Sequence, residues 1–239
     1  MTEEATKVWL PDLVYVDGTF RSNLEVVTNS EGRISSIQNA SKGPWIRLKN
    51  KAILPGLVNA HSHAFQRVIR GRTEYRSEAS TDSFWTWREL MYQAANRLTP
   101  DDIYAASRMA FLEMALTGIT AVGEFHYIHN AQDGKPYDDP NLLAKQVIRA
   151  ANDVGIRIAL LRVAYERAGF QKESNPLQNR FIESTDNYLK NLDTLIHDVK
   201  KESDLSWVGA APHSVAPAIV PSSASISAAR RPYASPTRP

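Results

Sequence analysis

The strongest constraint on the fold is an alternation of strand and helix patterns. Four apolar, strand-like runs are separated by helical patterns, at residues 52–60, 120–125, 156–164 and 207–211. A further helical segment, 83–98, follows the first of these strands. Strands that alternate with helices form parallel sheets with right-handed crossovers. The sequence therefore predicts an α/β fold, either an open doubly wound sheet or half of a (β/α)₈ barrel.

Residues that begin or end helices support this assignment. Thr99 is a suitable N-cap, with Asp102 three residues later, and Gly118 follows the helical pattern as a stop. A second helix is predicted to begin after Asp139-Pro140 and to end at Gly155, and a third, amphipathic helix lies between Ile182 and Val199.

The segments on either side of this region have a different character. Residues 7–53 contain short strand-like runs and an Asp17-Gly18 turn, which predict a small antiparallel, β-sandwich-type unit. Residues 216–239 are rich in Pro, Ser and Ala and lack acidic residues. We predict three regions: a β domain at 1–54, half a barrel at 55–215, and a disordered low-complexity tail at 216–239. A lost reading frame near Ala216 is the alternative explanation of the tail.

Charge and composition exclude several classes of function. The net charge of +2 comes from the tail, because without its three arginines the chain has 25 basic and 26 acidic residues. Nucleic acid and anionic membrane surfaces are therefore not expected partners. The chain has no cysteine, an acidic start, and no apolar run of the roughly 20 residues that cross a bilayer. We expect a cytoplasmic protein without thiolate metal sites.

The first residues that could carry chemistry are His61 and His63, which directly follow an apolar strand. Alternate residues of a strand point to the same side, so both imidazoles can reach one point. Imidazole is a good ligand for zinc or iron. A chance His-x-His pair is the alternative, but barrel enzymes carry their chemistry at the carboxyl ends of their strands.

These histidines belong to a recognisable pattern. The stretch at 54–63, LPGLVNAHSH, resembles the metal-binding signature of the amidohydrolase superfamily. Four further stretches resemble formimidoylglutamate deiminases of histidine degradation: HAFQR at 63–67, DSFWTWRELMY at 82–92, EFHYIH at 124–129 and APHSV at 211–215. The resemblance extends over about residues 8–215. It implies the first half, about four βα units, of a TIM-like metal-dependent hydrolase barrel.

The resemblance also implies roles for individual residues. His61 and His63 would be two ligands of one Zn²⁺ ion. The small-molecule substrate would be bound by Gln66, Arg88, Tyr127 and His213. The implied reaction hydrolyses N-formimidoyl-L-glutamate to N-formylglutamate and ammonia, and the whole protein is expected to be a homodimer. Two carboxylates and an amidine-like carbon do require an arginine and a metal ion that activates water.

Alternative interpretations of two of these residues remain open. Arg88 could be an ordinary surface charge on the helix of Trp85 and Trp87, whose rings are expected to serve packing. Tyr127 could end a strand with its hydroxyl in water. No role is assigned to His126, His129 or Glu124.

The sequence departs from the family pattern after Val215. The family continues with a substrate-binding arginine, where this chain has Ala216, and its later metal-binding and catalytic residues have no counterpart. A catalytic zinc ordinarily has three protein ligands. We therefore expect a truncated, inactive chain with an incomplete zinc site and no catalytic residue of its own.

The sequence leaves two other functions open. A different amidohydrolase could deaminate a purine or another cyclic amidine, which would not require carboxylate-binding residues near the metal. Alternatively, the chain could be a non-catalytic fragment that binds a partner through an unpaired sheet edge.

Overall fold

The computed structural model describes residues 7–73, 84–167 and 175–213, except for the side chain of Trp85. The chain divides into two compact units, Met1–Gly56 and Leu57–Pro239. The boundary predicted after residue 54 differs from this division by two residues. The predicted tail at 216–239 lies outside the described residues.

The described part of the first unit, from Lys7 onward, contains five strands: β1 (Lys7–Val16), β2 (Thr19–Arg21), β3 (Leu24–Thr28), β4 (Ile34–Asn39) and β5 (Ile46–Ile53). The sequence predicts a sandwich-type unit here. The described residues of this unit form one sheet with both parallel and antiparallel strand pairs. Strand β1 pairs antiparallel with β2 and β3, and β4 extends the sheet from β3. Strand β5 pairs with β1 in parallel, so the predicted antiparallel arrangement is wrong for this pair. Strand patterns in sequence do not specify which strands become neighbours.

A buried carboxylate joins three parts of this unit. Glu25 on β3 accepts hydrogen bonds from Gln38 Nε2 at 2.8 Å, from the backbone N–H and hydroxyl of Ser41 at 2.9 Å each, and from Trp45 Nε1 at 3.0 Å. The Ser41 N–H and the Gln38 amide are the main causes that lower the Glu25 pKa to about 2, against the opposing effect of burial. The charged form of Glu25 is thus favoured in the folded unit.

The second unit is a parallel α/β structure. Its strands are β6 (Leu57–Ser62), β7 (Ile119–His126), β8 (Arg157–Ala164) and β9 (Ser206–Pro212). Its helices are α1 (Phe84–Ala95), α2 (Pro100–Leu116), α3 (Leu142–Val154) and α4 (Thr185–Glu202), with short 3-10 helices at Ala64–Ile69 and Pro176–Gln178. The strands pair in parallel in the order β6-β7-β8-β9. The predicted partial barrel of alternating strands and helices is confirmed.

The residues predicted to begin and end α2 do so in the structure, but the start of α3 differs from the prediction. Thr99 and Asp102 form a reciprocal capping box at the start of α2. Gly155 ends α3 in a left-handed conformation with φ 83°. However, α3 begins at Leu142, later than Asp139-Pro140 predicted, because the Asp139 carboxylate accepts the Asn141 N–H at 2.9 Å and forms a turn there.

Strand β6 is much more exposed than its apolar sequence predicts. Leu57 is 57% exposed and Val58 70% exposed, whereas Ile158 and Leu160 on β8 are fully buried. Among the described residues, β6 pairs with β7 alone and β9 pairs with β8 alone. A parallel strand is buried only when neighbours and helices cover it on all sides. The apolar sequence of β6 favours a buried strand, and this expectation is wrong for Leu57 and Val58.

One arginine interrupts the apolar pattern of β8 and is fully buried. The Arg162 guanidinium donates to both carboxylate oxygens of Glu183, at 2.5 and 3.1 Å, and to Asn141 Oδ1 at 3.0 Å. The Glu183 carboxylate also accepts from Asn191 Nδ2. This buried network ties β8 to the segments that precede α3 and α4.

No helix of the described ranges has the length and apolarity to cross a bilayer.

Candidate metal and substrate site

Two imidazoles converge where β6 ends. His61 Nε2 and His63 Nε2 lie 3.0 Å apart, and the two rings are perpendicular. His63 Nδ1 lies 3.1 Å from the carbonyl oxygen of Phe125, the neighbouring residue on β7. Because a carbonyl only accepts hydrogen bonds, Nδ1 carries the proton and Nε2 keeps its lone pair for a metal ion. The two histidines thus meet as their spacing predicts.

A β-bulge places both histidines on this face of the sheet. Between the pairs Asn59↔Val122 and Ser62↔Glu124, β6 advances three residues while β7 advances two. The N–H of His61, displaced from the regular ladder, donates to Asn59 Oδ1 at 3.2 Å. Bulges of this kind redirect side chains at strand ends.

Three predicted substrate residues lie beside the histidine pair. Gln66 Nε2, on the 3-10 helix after β6, donates to the Tyr127 hydroxyl at 2.9 Å. The Tyr127 ring centroid is 5.5 Å from that of His63 and 5.4 Å from that of His213. Tyr127 is only 4% exposed, so the alternative of a hydroxyl in water is wrong. The structure brings Gln66, Tyr127 and His213 together with the histidines.

Arg88 lies on α1, and aromatic side chains link it to the site. Its Cζ atom is 5.6 Å from the ring centroid of Tyr92. Tyr92 accepts a 2.6 Å hydrogen bond from Gln178 Nε2, and its hydroxyl also hydrogen-bonds to Tyr165. The Tyr165 ring centroid is 4.4 Å from that of His213. The described contacts therefore connect Arg88 to the His213 end of the site through two tyrosines.

Burial shifts the pKa values of several side chains in the site. It lowers the pKa of His63, with a smaller contribution from the nearby His61. It lowers the pKa of His213 to about 4, assisted by His63. Burial also raises the pKa of Tyr127, whose hydroxyl therefore stays protonated. The Nδ1 atom of His213 is buried and has no hydrogen-bond partner among the described residues, so it can bond to a ligand.

Two important neighbours of the histidines could not be recognised from residue types. Phe125 supplies the carbonyl that orients His63, and a backbone group cannot be recognised from residue type. Glu124 is 1% exposed, and its Oε1 accepts the Ala64 N–H at 2.7 Å. Burial raises the pKa of Glu124 to about 7, opposed by hydrogen bonds from Ser62 and Ala64. Its orientation depends on the bulge, which the residue pattern does not reveal.

The two histidines without a predicted role make other contacts. His126 and His129 are buried, and burial lowers the pKa of each well below its usual range. His129 Nε2 contacts the carbonyl of Val163 at 2.9 Å. Trp87 packs against the hydrophobic core, as predicted for it, whereas the Trp85 side chain is outside the described residues.

The donor set fits part of a zinc site. His61 and His63 present two imidazole nitrogens, and imidazole is a ligand that zinc accepts readily. In the ranges that the structure describes, no group of three or more His, Asp or Glu side chains is arranged to hold a metal ion. Two imidazoles are one fewer than the three protein ligands of an ordinary catalytic zinc.

This parallel α/β architecture, with a histidine pair at a strand end, agrees with the result of sequence comparison. Residues 52–223 match the amidohydrolase family, and the chain belongs to that family. It is 40% identical to formimidoylglutamate deiminase of Pseudomonas aeruginosa over 174 residues, which are 72% of this chain and 38% of that protein. It is 34% identical to 5-methylthioadenosine/S-adenosylhomocysteine deaminase of Halothermothrix orenii over 44% of this chain and 23% of that protein. The chain thus spans less than half the length of these relatives.

Solved structures show the same fold. An amidohydrolase from Brucella melitensis aligns with a TM-score of 0.83 and 30% identity, over 92% of this chain and 49% of that one. Atrazine chlorohydrolase from Arthrobacter aurescens, solved in complex with zinc, aligns with a TM-score of 0.65 and 21% identity, over 88% of this chain and 47% of that one.

Proposed function

We propose that the protein is a metal-dependent hydrolase that converts N-formimidoyl-L-glutamate and water to N-formylglutamate and ammonia. The observation that carries this proposal is the convergence of His61 and His63 beside the hydrogen-bonded Gln66–Tyr127 pair. The identity with the Pseudomonas aeruginosa deiminase supports the choice of substrate among the deaminases that the chain resembles.

Each residue would have a distinct task. His61 and His63 would hold one divalent metal ion, zinc, through Nε2. When bound, that ion would supply the Lewis acidity that activates water for attack on the formimidoyl carbon. Water would add its oxygen to this carbon, the bond to the terminal nitrogen would break, and ammonia would leave with the transferred protons. Gln66 would contact the formimidoyl end.

The other end of the substrate carries two carboxylates. Arg88, Tyr127 and His213 would bind them, with Arg88 supplying the positive charge that paired carboxylate oxygens require. The Tyr127 hydroxyl accepts from Gln66 and donates to Met91 Sδ at 3.8 Å, and a substrate carboxylate would replace this weak sulfur acceptor. These residues thus offer donors for the substrate, whereas no general acid or base is assigned to the described residues.

We expect the 239-residue chain by itself to release no ammonia from this substrate, even with added zinc. Its described residues provide two metal ligands, and activity would need a third together with acid–base groups. The homodimeric state of the whole protein and a cytoplasmic location stay predictions.

A chimera would test the proposed function directly. Residues 57–213 would replace the matching segment of the Pseudomonas aeruginosa deiminase, and ammonia release would be measured with N-formimidoyl-L-glutamate. We expect an active chimera that loses its activity in the His61→Ala and His63→Ala variants. Arg88→Met should raise KM by about 10- to 100-fold, because hydrogen bonds to charged groups contribute about 1.5–3 kcal/mol. Glu89→Gln, one residue further on an exposed position of α1, is the matched control and should change neither constant.

The second candidate is deamination of a purine or another cyclic amidine. It is favoured by the aromatic rings of Phe125, Tyr127 and Tyr165 around the site, and by identity to 5-methylthioadenosine/S-adenosylhomocysteine deaminase. The same chimera should therefore be assayed with 5-methylthioadenosine and 8-oxoguanine. Zinc-dependent turnover of either ring, without turnover of formimidoylglutamate, would replace the first proposal with the second.

A further inference from the structure

Glu124 is a buried carboxylate placed behind the histidine pair. Phe125 faces the histidines, so Glu124, its neighbour on β7, faces the opposite side of the sheet toward α2. Its Oε1 accepts the N–H of Ala64 at 2.7 Å, and the Ser62 hydroxyl hydrogen-bonds to the same carboxyl group. The carboxylate therefore holds the residues immediately before and after His63.

The bulge in β6 decides which way the histidines point. Asn59 faces α2, where its Nδ2 lies 3.7 Å from Met114 Sδ. Under strict alternation, Asn59, His61 and His63 would all share that face. The extra residue of β6 reverses the alternation, so the two histidines point away from α2 while Ser62 points toward it.

The position of Glu124 is costly for stability alone. A buried carboxyl group loses its hydration, and Glu124 Oε2 has no hydrogen-bond partner among the described residues. An apolar side chain of similar size would avoid this cost. What the carboxylate does provide is one hydrogen bond to Ser62 at the end of β6 and one to the Ala64 N–H just after it, and the present register of the bulge brings both within reach.

We propose that Glu124 is a positioning residue that locks the bulged end of β6 and so holds His61 and His63 in one metal-binding arrangement. This inference rests on the proposed function, because it assigns Glu124 to the same metal site. Without the carboxylate, the turn at His63 loosens and the two Nε2 atoms separate. Removal of partners that orient metal ligands typically weakens metal affinity by about 10- to 100-fold.

Zinc affinity of the full chain, measured by competition with a chromogenic chelator, tests this role. Glu124→Leu removes both hydrogen bonds and should weaken zinc binding by about 10- to 100-fold. Glu124→Gln keeps an oxygen acceptor and should bind zinc nearly as well as the unchanged chain. His126→Leu is the matched control, since His126 is the next buried polar residue on the same face of β7, and it should leave zinc affinity unchanged.

A metal-free measurement separates positioning from general stability. Long-range ¹H–¹⁵N spectra report the tautomer of each imidazole, and His63 should lose its fixed Nδ1–H form in Glu124→Leu but keep it in Glu124→Gln. If Glu124→Leu does not fold, Ser62→Ala removes one of the two hydrogen bonds without touching the carboxylate. It should then show the same change to a smaller degree.

The outcomes distinguish the two proposals. Unchanged zinc affinity and an unchanged His63 tautomer in Glu124→Leu, or in Ser62→Ala where Glu124→Leu is unfolded, would overturn the positioning role. Zinc binding that is equal in the unchanged chain and in His61→Ala would instead refute the metal site of the proposed function. In that case the metal-free spectra alone decide the role of Glu124.

Discussion

Gly123 on β7 lies directly against the backbone of Ala60 on β6: a Cβ atom at Gly123 would come within 3.1 Å of the Ala60 carbonyl oxygen. This contact lies inside the bulge that directs His61 and His63 into the site. Two backbones can approach this closely only where one residue lacks a side chain. The glycine therefore permits the close contact of the two strands beside the histidine pair.

We predict that Gly123→Ala destabilises the second unit by about 1–3 kcal/mol, the usual cost of overpacking. The free energy of unfolding can be measured by urea denaturation. Gly209→Ala is the matched control in the same sheet, because its Cβ would meet the Cδ2 atom of Leu161, a side-chain atom that can move. Equal losses in the two variants would contradict a special role for the close approach at Ala60.

The buried ion pair of Arg162 and Glu183 predicts strong coupling between the two residues. Arg162→Leu leaves the Glu183 carboxylate buried without its main partner, so we expect a loss of about 3–5 kcal/mol of stability. The double variant Arg162→Leu/Glu183→Leu should be more stable than the single variant, because it removes the uncompensated charge. A double-mutant cycle measures this, and additive losses would contradict it.

The contacts of Arg180 predict that its substitution destabilises α1 locally. Its buried guanidinium donates to the carbonyls of Ala95, Leu98 and Asn130, and so fastens the end of α1 to the segment after β7. Arg180→Met should raise hydrogen exchange across residues 84–98, by an amount that corresponds to about 1.5–3 kcal/mol for hydrogen bonds to a charged group.

Arg149→Met provides the control for this effect. Arg149 is a surface arginine on α3 that lies over the ring of Tyr104 and should leave exchange in α1 unchanged. Exchange that stays slow across residues 84–98 in Arg180→Met would show that other contacts hold α1.

The lowered pKa of Glu25 predicts that the stability of the first unit depends on pH. Its pKa is about 2 when folded and 4.5 ordinarily, so it contributes stability above pH 4.5 that is lost as the pH falls toward 2. Glu25→Gln should reduce stability at neutral pH and remove this part of the acid transition. Trp45 Nε1 donates to Glu25, so tryptophan fluorescence during acid titration reports the change. Glu31→Gln, at an exposed position in the turn between β3 and β4, should leave the transition as it is.

The residue pattern was sufficient to predict the alternating elements and the histidine pair. Helix periodicity, the Thr99–Asp102 capping box and Gly155 are local signals, and the structure has each of them where the sequence places it. The spacing of His61 and His63 also carries local information, because two residues on one strand end share a face.

Other features were decided by tertiary structure. The parallel pairing of β5 with β1, the exposure of β6 and the burial of Tyr127 depend on which elements become neighbours. The roles of Gly123 and Glu124 depend on a one-residue shift in register between β6 and β7, and residue types alone do not encode such a shift. Sequence thus determined which elements form and which side chains carry chemistry. Only the packing of β6 against β7 decided which way those side chains point, because the direction of every side chain on a strand follows from its register.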